Sequence, residues 1–198
     1  MPETHTKQGF DLTEFAKQVG DQKYPPVEKW NPDFCGDIDM RIASDGTWFY
    51  MGTPIGRQNM VRLFASVLRK DEDGKTYLVT PVEKIGITID DAHFVAVSVE
   101  AAEENGELSL CFTTNVGDKV IASAENPIRV EVDGDTGEPR PYLLVRGRLE
   151  ALISRNVYYE LIEKGDVTVE DGVSSCSIES NGVRFSLGTW PEDIEAHA

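Results

Sequence analysis

CGDIDMRIASDGTWFYMGTPIGRQNMVRLFASVLRK, residues 35–70, is the stretch around which the chain is organised. Over 37–42, Ile38, Met40 and Ile42 fall on one face and Asp37, Asp39 and Arg41 on the other, the period of a half-buried antiparallel strand. Ser44-Asp45-Gly46 supplies a tight turn. Residues 47–51 return as a strand in which Trp48 and Tyr50 alternate with Phe49 and Met51, so aromatic rings stand on both faces. Gly52-Thr53-Pro54-Ile55-Gly56 is too rich in breakers to extend it, and a helix follows with Met60, Leu63, Phe64, Val67 and Leu68 on one side. Residues 41–70 hold five bases (Arg41, Arg57, Arg62, Arg69, Lys70) against the single acid Asp45, a basic island in a chain of net charge -16.

The same order recurs further on. Ile128, Val130 and Val132 alternate with Arg129, Glu131 and Asp133; a loop over 134–141 replaces the tight turn; 142–145 returns as a strand. The spacing of Leu149, Leu152, Ile153, Val157 and Leu161 predicts a helix over 148–164. Between the copies lie strands over 76–82, 85–89, 94–100, 107–113 and 119–124, broken by Asp90-Asp91, an acidic loop over 101–106 and Gly117-Asp118. A hairpin over 167–189 closes the second half. Before the first copy, a short capped helix over 11–19 and an extended Tyr24-Pro25-Pro26-Val27 segment form an arm expected to clasp the first domain. The expected division is 1–34 arm, 35–90 first ββα-containing domain, 91–190 second domain and 191–198 acidic tail.

Composition excludes several functions. With 19 Lys plus Arg against 35 Asp plus Glu, no broad surface neutralises nucleic-acid phosphates, although a small anion needs only two or three converging donors. No run approaches the ~20 apolar residues of a membrane span, and the first residues lack a leader pattern, so the expectation is a cytoplasmic protein. Cys35, Cys111 and Cys176 are far apart and suggest neither a disulfide framework nor a zinc site.

Arg57 stands at the start of the first helix, and Arg146 with Arg148 at the expected start of the second. A cation at the positive end of a helix is mildly unfavourable, by about 0.3–1 kcal/mol, unless an anion is shared. Gly52, Gly56 and Gly147 would let backbone approach such an anion closely; alternatively each arginine pairs with an acid of the chain, such as Asp39 or Glu131. Trp48 and Tyr50 could stack a base, or simply pack in the core. Asp37 and Asp39 share a strand face and leave a metal site or acid/base pair open beside the plainer reading of solvent-facing charges; Cys35 reads as a buried packing thiol, with a reactive thiol as the alternative were an arginine beside it. There is no P-loop, GxSxG, HExxH, Rossmann or kinase-type motif, so no catalytic constellation supports an enzyme.

The runs WNPDFCGDIDMRIASDGTWFYMGTPIGR, NMVRLFASVL, TPVEKIGITIDDAHF and FTTN resemble domain-of-unknown-function family 1285, a bacterial family without an assigned activity, over residues 30–188. The resemblance implies an α+β fold of two repeated antiparallel β-barrel-like halves, each with a packed helix. It further implies a pleckstrin-homology-like C-terminal half, a nucleotide-type ligand and a signalling role. Through the motifs TPVEK and FTTN it adds Lys84 and Asn115 to the ligand-binding candidates Arg57, Arg146, Arg148, Trp48 and Tyr50. The family more usually has proline where this chain has His93, and its C-terminal stretch carries more aromatics and glycine than residues 178–188.

The resulting expectation is a regulatory module binding a small anionic, nucleotide-like ligand between two duplicated halves. The alternatives are a protein-interaction scaffold without a small ligand and a metal-dependent hydrolase using Asp37 and Asp39. The cofactor is left unknown, a protein partner is open, and the oligomeric state is not encoded in any motif.

Overall fold

The computed structural model describes residues 24–104 and 107–191, which divide between two compact units. The helix expected over 11–19 and most of the acidic tail lie outside the described residues.

The first unit comprises the described part of Met1–Arg41 together with Trp48–Thr88. Its elements are a 3-10 turn (Val27–Lys29), strands β1 (Phe34–Ile42), β2 (Trp48–Tyr50) and β3 (Thr53–Pro54), helix α1 (Gln58–Ser66), and strands β4 (Leu68–Lys70), β5 (Thr76–Val79) and β6 (Lys84–Ile89). They build one six-stranded sheet in the order β3-β2-β1-β6-β5-β4. Alternation in β1 does what it predicts: Met40 and Ile42 are buried, whereas Asp37 and Asp39 are exposed. Helix α1 buries Val61, Phe64 and Ala65, and the chain leaves it earlier than the helical spacing suggests, since Leu68 already belongs to β4. Arg69 ties down the arm, donating from one guanidinium nitrogen to the Val27 carbonyl (2.8 Å) and the Trp30 carbonyl (2.7 Å).

The second unit comprises Ile42–Thr47 and the described residues from Ile89 onward. Strands β7 (Phe94–Glu104), β8 (Glu107–Thr114), β9 (Lys119–Ile121), β10 (Ile128–Val132), β11 (Pro139–Arg146) and β12 (Leu149–Ile153) form a sheet in the order β10-β11-β12-β7-β8-β9. Helix α2 (Arg155–Lys164) follows, and β13 (Asp166–Glu170), β14 (Val173–Ser180) and β15 (Val183–Pro191) make a three-stranded sheet. Three strands, a helix and three strands therefore occur in both halves, as β1–β6 around α1 and as β10–β15 around α2. The two halves are similar and β-rich, with few helices. In the first, the opening and closing strands β1 and β6 are neighbours in one sheet; in the second, β10 lies beside β15 but the sheets stay separate, and β12 instead pairs in parallel with β7.

Three sequence expectations are corrected. The helix predicted over 148–164 is a strand followed by a shorter helix: Leu149, Ala151 and Ile153 are buried alternately in β12, and the helix begins only at Arg155. Leu149, Leu152 and Ile153 satisfy both periods, and cross-strand pairing with β11 and β7 decides for the strand. The closing hairpin is three strands, joined by the two-residue turns Asp171-Gly172 and Asn181-Gly182, all four residues at positive φ, as a twisted hairpin demands. The acidic loop is also shorter than expected, because β7 runs to Glu104 and β8 starts at Glu107.

Helix α2 stops at Gly165, whose φ of -75° suits any residue. Glycine is needed there for space: an added Cβ would stand 2.7 Å from Cys176 Sγ, 3.0 Å from the Ser177 carbonyl and 3.2 Å from the Leu161 carbonyl. Gly165→Ala is expected to lower stability by about 1–3 kcal/mol through overpacking. A urea midpoint indistinguishable from wild type would show that β14 moves away freely.

Candidate functional site

In the first unit the basic island resolves into structural and uncommitted cations. Arg69, 7% exposed, forms a forked pair with Asp71 (2.6 and 3.2 Å), and Lys84 reaches the same carboxylate at 2.7 Å. Burial acts most strongly on Asp71 and would raise its carboxyl, but the hydrogen bonds and charges of Arg69 and Lys84 together outweigh it and hold the group below the ordinary value. Lys84 also lies over the Tyr77 ring at 4.3 Å. The Tyr77 hydroxyl donates to Asp73 (2.6 Å), a bond that pushes the phenol up to about 12. Arg41 lies over the Phe49 ring at 4.6 Å.

Trp48 is 1% exposed and stacks on Phe64, ring centroids 6.2 Å apart. Its ring is core, out of reach of a ligand base, and Tyr50 beside it is half-buried. Arg57 occupies the N-cap position of α1 in an extended conformation, exposed, with no side-chain cap and no acid in the first turn. Among the described residues it makes no ion pair. Asp37 and Asp39 are exposed, Cys35 near the start of the same strand is exposed and not the buried thiol expected, and no group of three or more His, Cys, Asp or Glu among the described residues is placed to hold a metal.

In the second unit Arg146 and Arg148 do not lead a helix. Arg146 ends β11, pairs with Asp118 at 2.7 Å and lies over the Phe94 ring at 5.0 Å; Arg148 sits exposed in the β11–β12 turn. Asn115 staples backbone, accepting from the Val95 N–H (3.0 Å) and donating to the Gly46 carbonyl (3.2 Å). His93 is buried, and its Nδ1 accepts from the Glu150 N–H at 3.2 Å. The seven sequence candidates thus divide, Arg57, Trp48, Tyr50 and Lys84 in the first unit and Arg146, Arg148 and Asn115 in the second.

The arginine that leads α2 is Arg155. It follows Ser154, an N-cap with extended backbone and no side-chain capping bond, and the first turn carries no acid. It opens onto a groove of about 470 Å³ whose walls include Asp133, Glu138, Arg140, Tyr158 and Tyr159, within the range of small-ligand sites. Asp133 shapes the far rim: its carboxylate accepts from the Thr136 and Asp135 N–H groups and the Thr136 hydroxyl, which hold it below the ordinary value. Arg140 is fixed by Asp91 (2.6 Å) and the Tyr142 hydroxyl (3.1 Å). Tyr158 is anchored by its hydroxyl, which donates to the Leu187 carbonyl, whereas the Tyr159 ring is exposed. Among the described residues Arg155 pairs only with exposed Glu138, at 3.1 Å, and an exposed pair of this kind is worth about 0–1 kcal/mol. An incoming anion can therefore replace Glu138 at low cost. The signal for this site in the sequence was Ser154-Arg155 directly ahead of a shorter helical pattern, masked by Leu149 and Leu152.

Residues 25–92 match the family described as "Domain of unknown function (DUF1285), N-terminal domain", and residues 93–187 match "Protein of unknown function (DUF1285), C-terminal domain". The structure is similar to a crystal structure of a DUF1285 family protein from Silicibacter pomeroyi DSS-3, with 52% sequence identity and a TM-score of 0.82, covering 90% of this chain and 95% of that one. It is also similar to a DUF1285 family protein from Shewanella baltica OS155, with 26% identity and a TM-score of 0.51, covering 64% of this chain and 92% of that one. Curated protein sequences contain no match. No helix among the described residues is long and apolar enough to cross a membrane. Matched in order by both halves of the family, and 52% identical to a member of known structure, the chain belongs to the DUF1285 family.

Proposed function

We propose that the protein is a cytoplasmic ligand-binding regulatory module, acting in signal transduction, whose C-terminal unit takes a small anionic, nucleotide-like ligand in the groove at the start of α2. One observation carries this reading. Arg155 stands at an uncapped helix start, beside an exposed tyrosine ring, with only a weak surface partner to displace. The first-turn N–H groups and the guanidinium offer donors to a phosphate or carboxylate, and Tyr159 offers a face for a planar ring. The finer description of this unit as pleckstrin-homology-like rests on the six strands β7–β12 followed by α2.

Arg57 repeats the same device at the start of α1, so two variants separate the sites. In a thermal-shift series with inorganic phosphate and nucleoside mono- and diphosphates, ligand at 100 times its dissociation constant is expected to stabilise wild type by about 2.7 kcal/mol. Arg155→Gln abolishes that gain, and Arg148→Gln leaves it intact. Loss in Arg57→Gln instead would move the site to α1. A series in which no probe stabilises wild type, or in which all three variants respond like it, removes the proposal.

A further inference from the structure

Strand β13, sequence Asp166-Val167-Thr168-Val169-Glu170, is the outer strand of the three-stranded sheet and, among the described residues, pairs only with β14. All five of its residues are exposed. Val167 and Val169 point to the same face as their register partners Cys176 and Ser174, which are buried, yet they remain 56% and 52% exposed. An edge strand of a soluble protein is ordinarily blunted by lysine, proline or a bulge. This one has none of them: its register with β14 is unbroken, and its central residues are β-branched. Its flanks are acidic, with Glu160 and Glu163 before it and Asp166, Glu170 and Asp171 at its ends. The nearby cations are Lys164 and Arg184, and Arg184 is already shared between Asp166 (3.4 Å) and Glu179 (3.8 Å).

We propose that β13 is a docking edge for an extended segment of a partner protein in which β-branched or apolar residues alternate with Lys or Arg, added as a fourth strand beside Val167 and Val169. Backbone pairing supplies the attachment, the two valines supply an apolar contact, and the acidic flanks select for cations. A second copy of this chain fits worse. Antiparallel self-pairing centred on Thr168 sets Asp166 opposite Glu170 twice, parallel self-pairing sets each acid opposite itself, and both molecules carry -16. A five-residue edge is also small beside the roughly 1,200–2,000 Å² of a stable protein interface.

The test uses the full chain and a synthetic peptide alternating Val with Lys, compared with one alternating Val with Glu. Fluorescence anisotropy at low and moderate salt gives affinity, and hydrogen exchange locates the contact. The Val/Lys peptide is expected to bind and to protect the amides of residues 166–170, the Val/Glu peptide to fail, and Val167→Lys with Val169→Lys to weaken binding roughly tenfold or more by removing the apolar contact and offsetting the charge of the acidic flanks. Both valines are exposed, so the double variant keeps its fold, checked by an unchanged melting temperature. Three results overturn the proposal: no binding of the Val/Lys peptide; binding that leaves residues 166–170 unprotected or survives the double variant, which is mere charge adhesion; and concentration-dependent dimerisation abolished by the same variant, which would make the edge a self-interface.

Discussion

Asp71→Ala is expected to cost about 2–4 kcal/mol, because it strips the buried Arg69 guanidinium of its anion in a part-buried pair. Asp71 looks dispensable in sequence, as the first residue of an acidic turn. In the structure it is the anion for a guanidinium whose side chain is 8% exposed, and it binds Lys84 as well. Without it, Arg69 keeps only the Val27 and Trp30 carbonyls, neutral acceptors for a buried charge, and the arm loses its fixed anchor. Urea unfolding at constant m-value measures the loss. Arg184→Ala, which breaks pairs that are more than half exposed, is the control and stays within about 0.5 kcal/mol of wild type. A cost below 1 kcal/mol for Asp71→Ala would mean that water reaches Arg69.

The same carboxylate sets a pH dependence. Its folded value lies below the ordinary carboxylate value of 3.8. A depressed carboxyl stabilises the folded state above its unfolded value, and that stability disappears as pH falls from 3.8 through the folded value. The wild-type acid limb therefore steepens below pH 3.8, and the part due to this group is missing in Asp71→Ala. Identical acid limbs in the two proteins would contradict the assignment.

Phe64→Ala is the second large effect, expected at about 3–5 kcal/mol for removing a fully buried ring. Phe64 fills the space between α1 and the sheet and supports Trp48 by stacking. A companion substitution tests the one unsatisfied buried side-chain polar atom among the described residues: Trp48 Nε1 has no hydrogen-bond partner. Such a donor costs about 1–3 kcal/mol to leave unsatisfied. Trp48→Phe removes it along with part of the ring, so its net cost is expected to fall well below that of Phe64→Ala. Equal costs by urea unfolding would show that the indole N–H bonds an ordered water in solution.

Much of the architecture is legible in local pattern. Alternation in residues 37–42 names β1 and its buried face, and the spacing of Met60, Leu63 and Phe64 names α1. The Asp-Gly and Asn-Gly pairs at 171–172 and 181–182 carry the signal for two turns, yet residues 167–189 read as a single hairpin, and strand pairing shows three closing strands. Where a short apolar run satisfies two periods, as at Leu149, Leu152 and Ile153, local pattern has no means of choosing, and the error propagates. It carried the Arg-led helix start to Arg146 and Arg148, seven or more residues ahead of Arg155.

The charged and aromatic candidates show the same boundary. That residues 41–70 concentrate cations is a property of sequence alone, and so are the net charge of -16, the lack of a catalytic motif and the repeated strand, helix and strand order. Which cation is structural was decided by tertiary contact: Arg69 finds carbonyls 42 and 39 residues away, Arg146 finds Asp118, and Trp48 turns inward onto Phe64. Those partners are distant along the chain, and a side chain's electrostatic environment is set by what surrounds it in space. The sequence thus determined most of the elements and their repetition, because helix and strand periods are local, but not those where both periods fit or where pairing split a hairpin. Only the tertiary structure set Arg155 at the mouth of a groove and left the edge of β13 exposed, the two features on which the proposed ligand and partner sites rest.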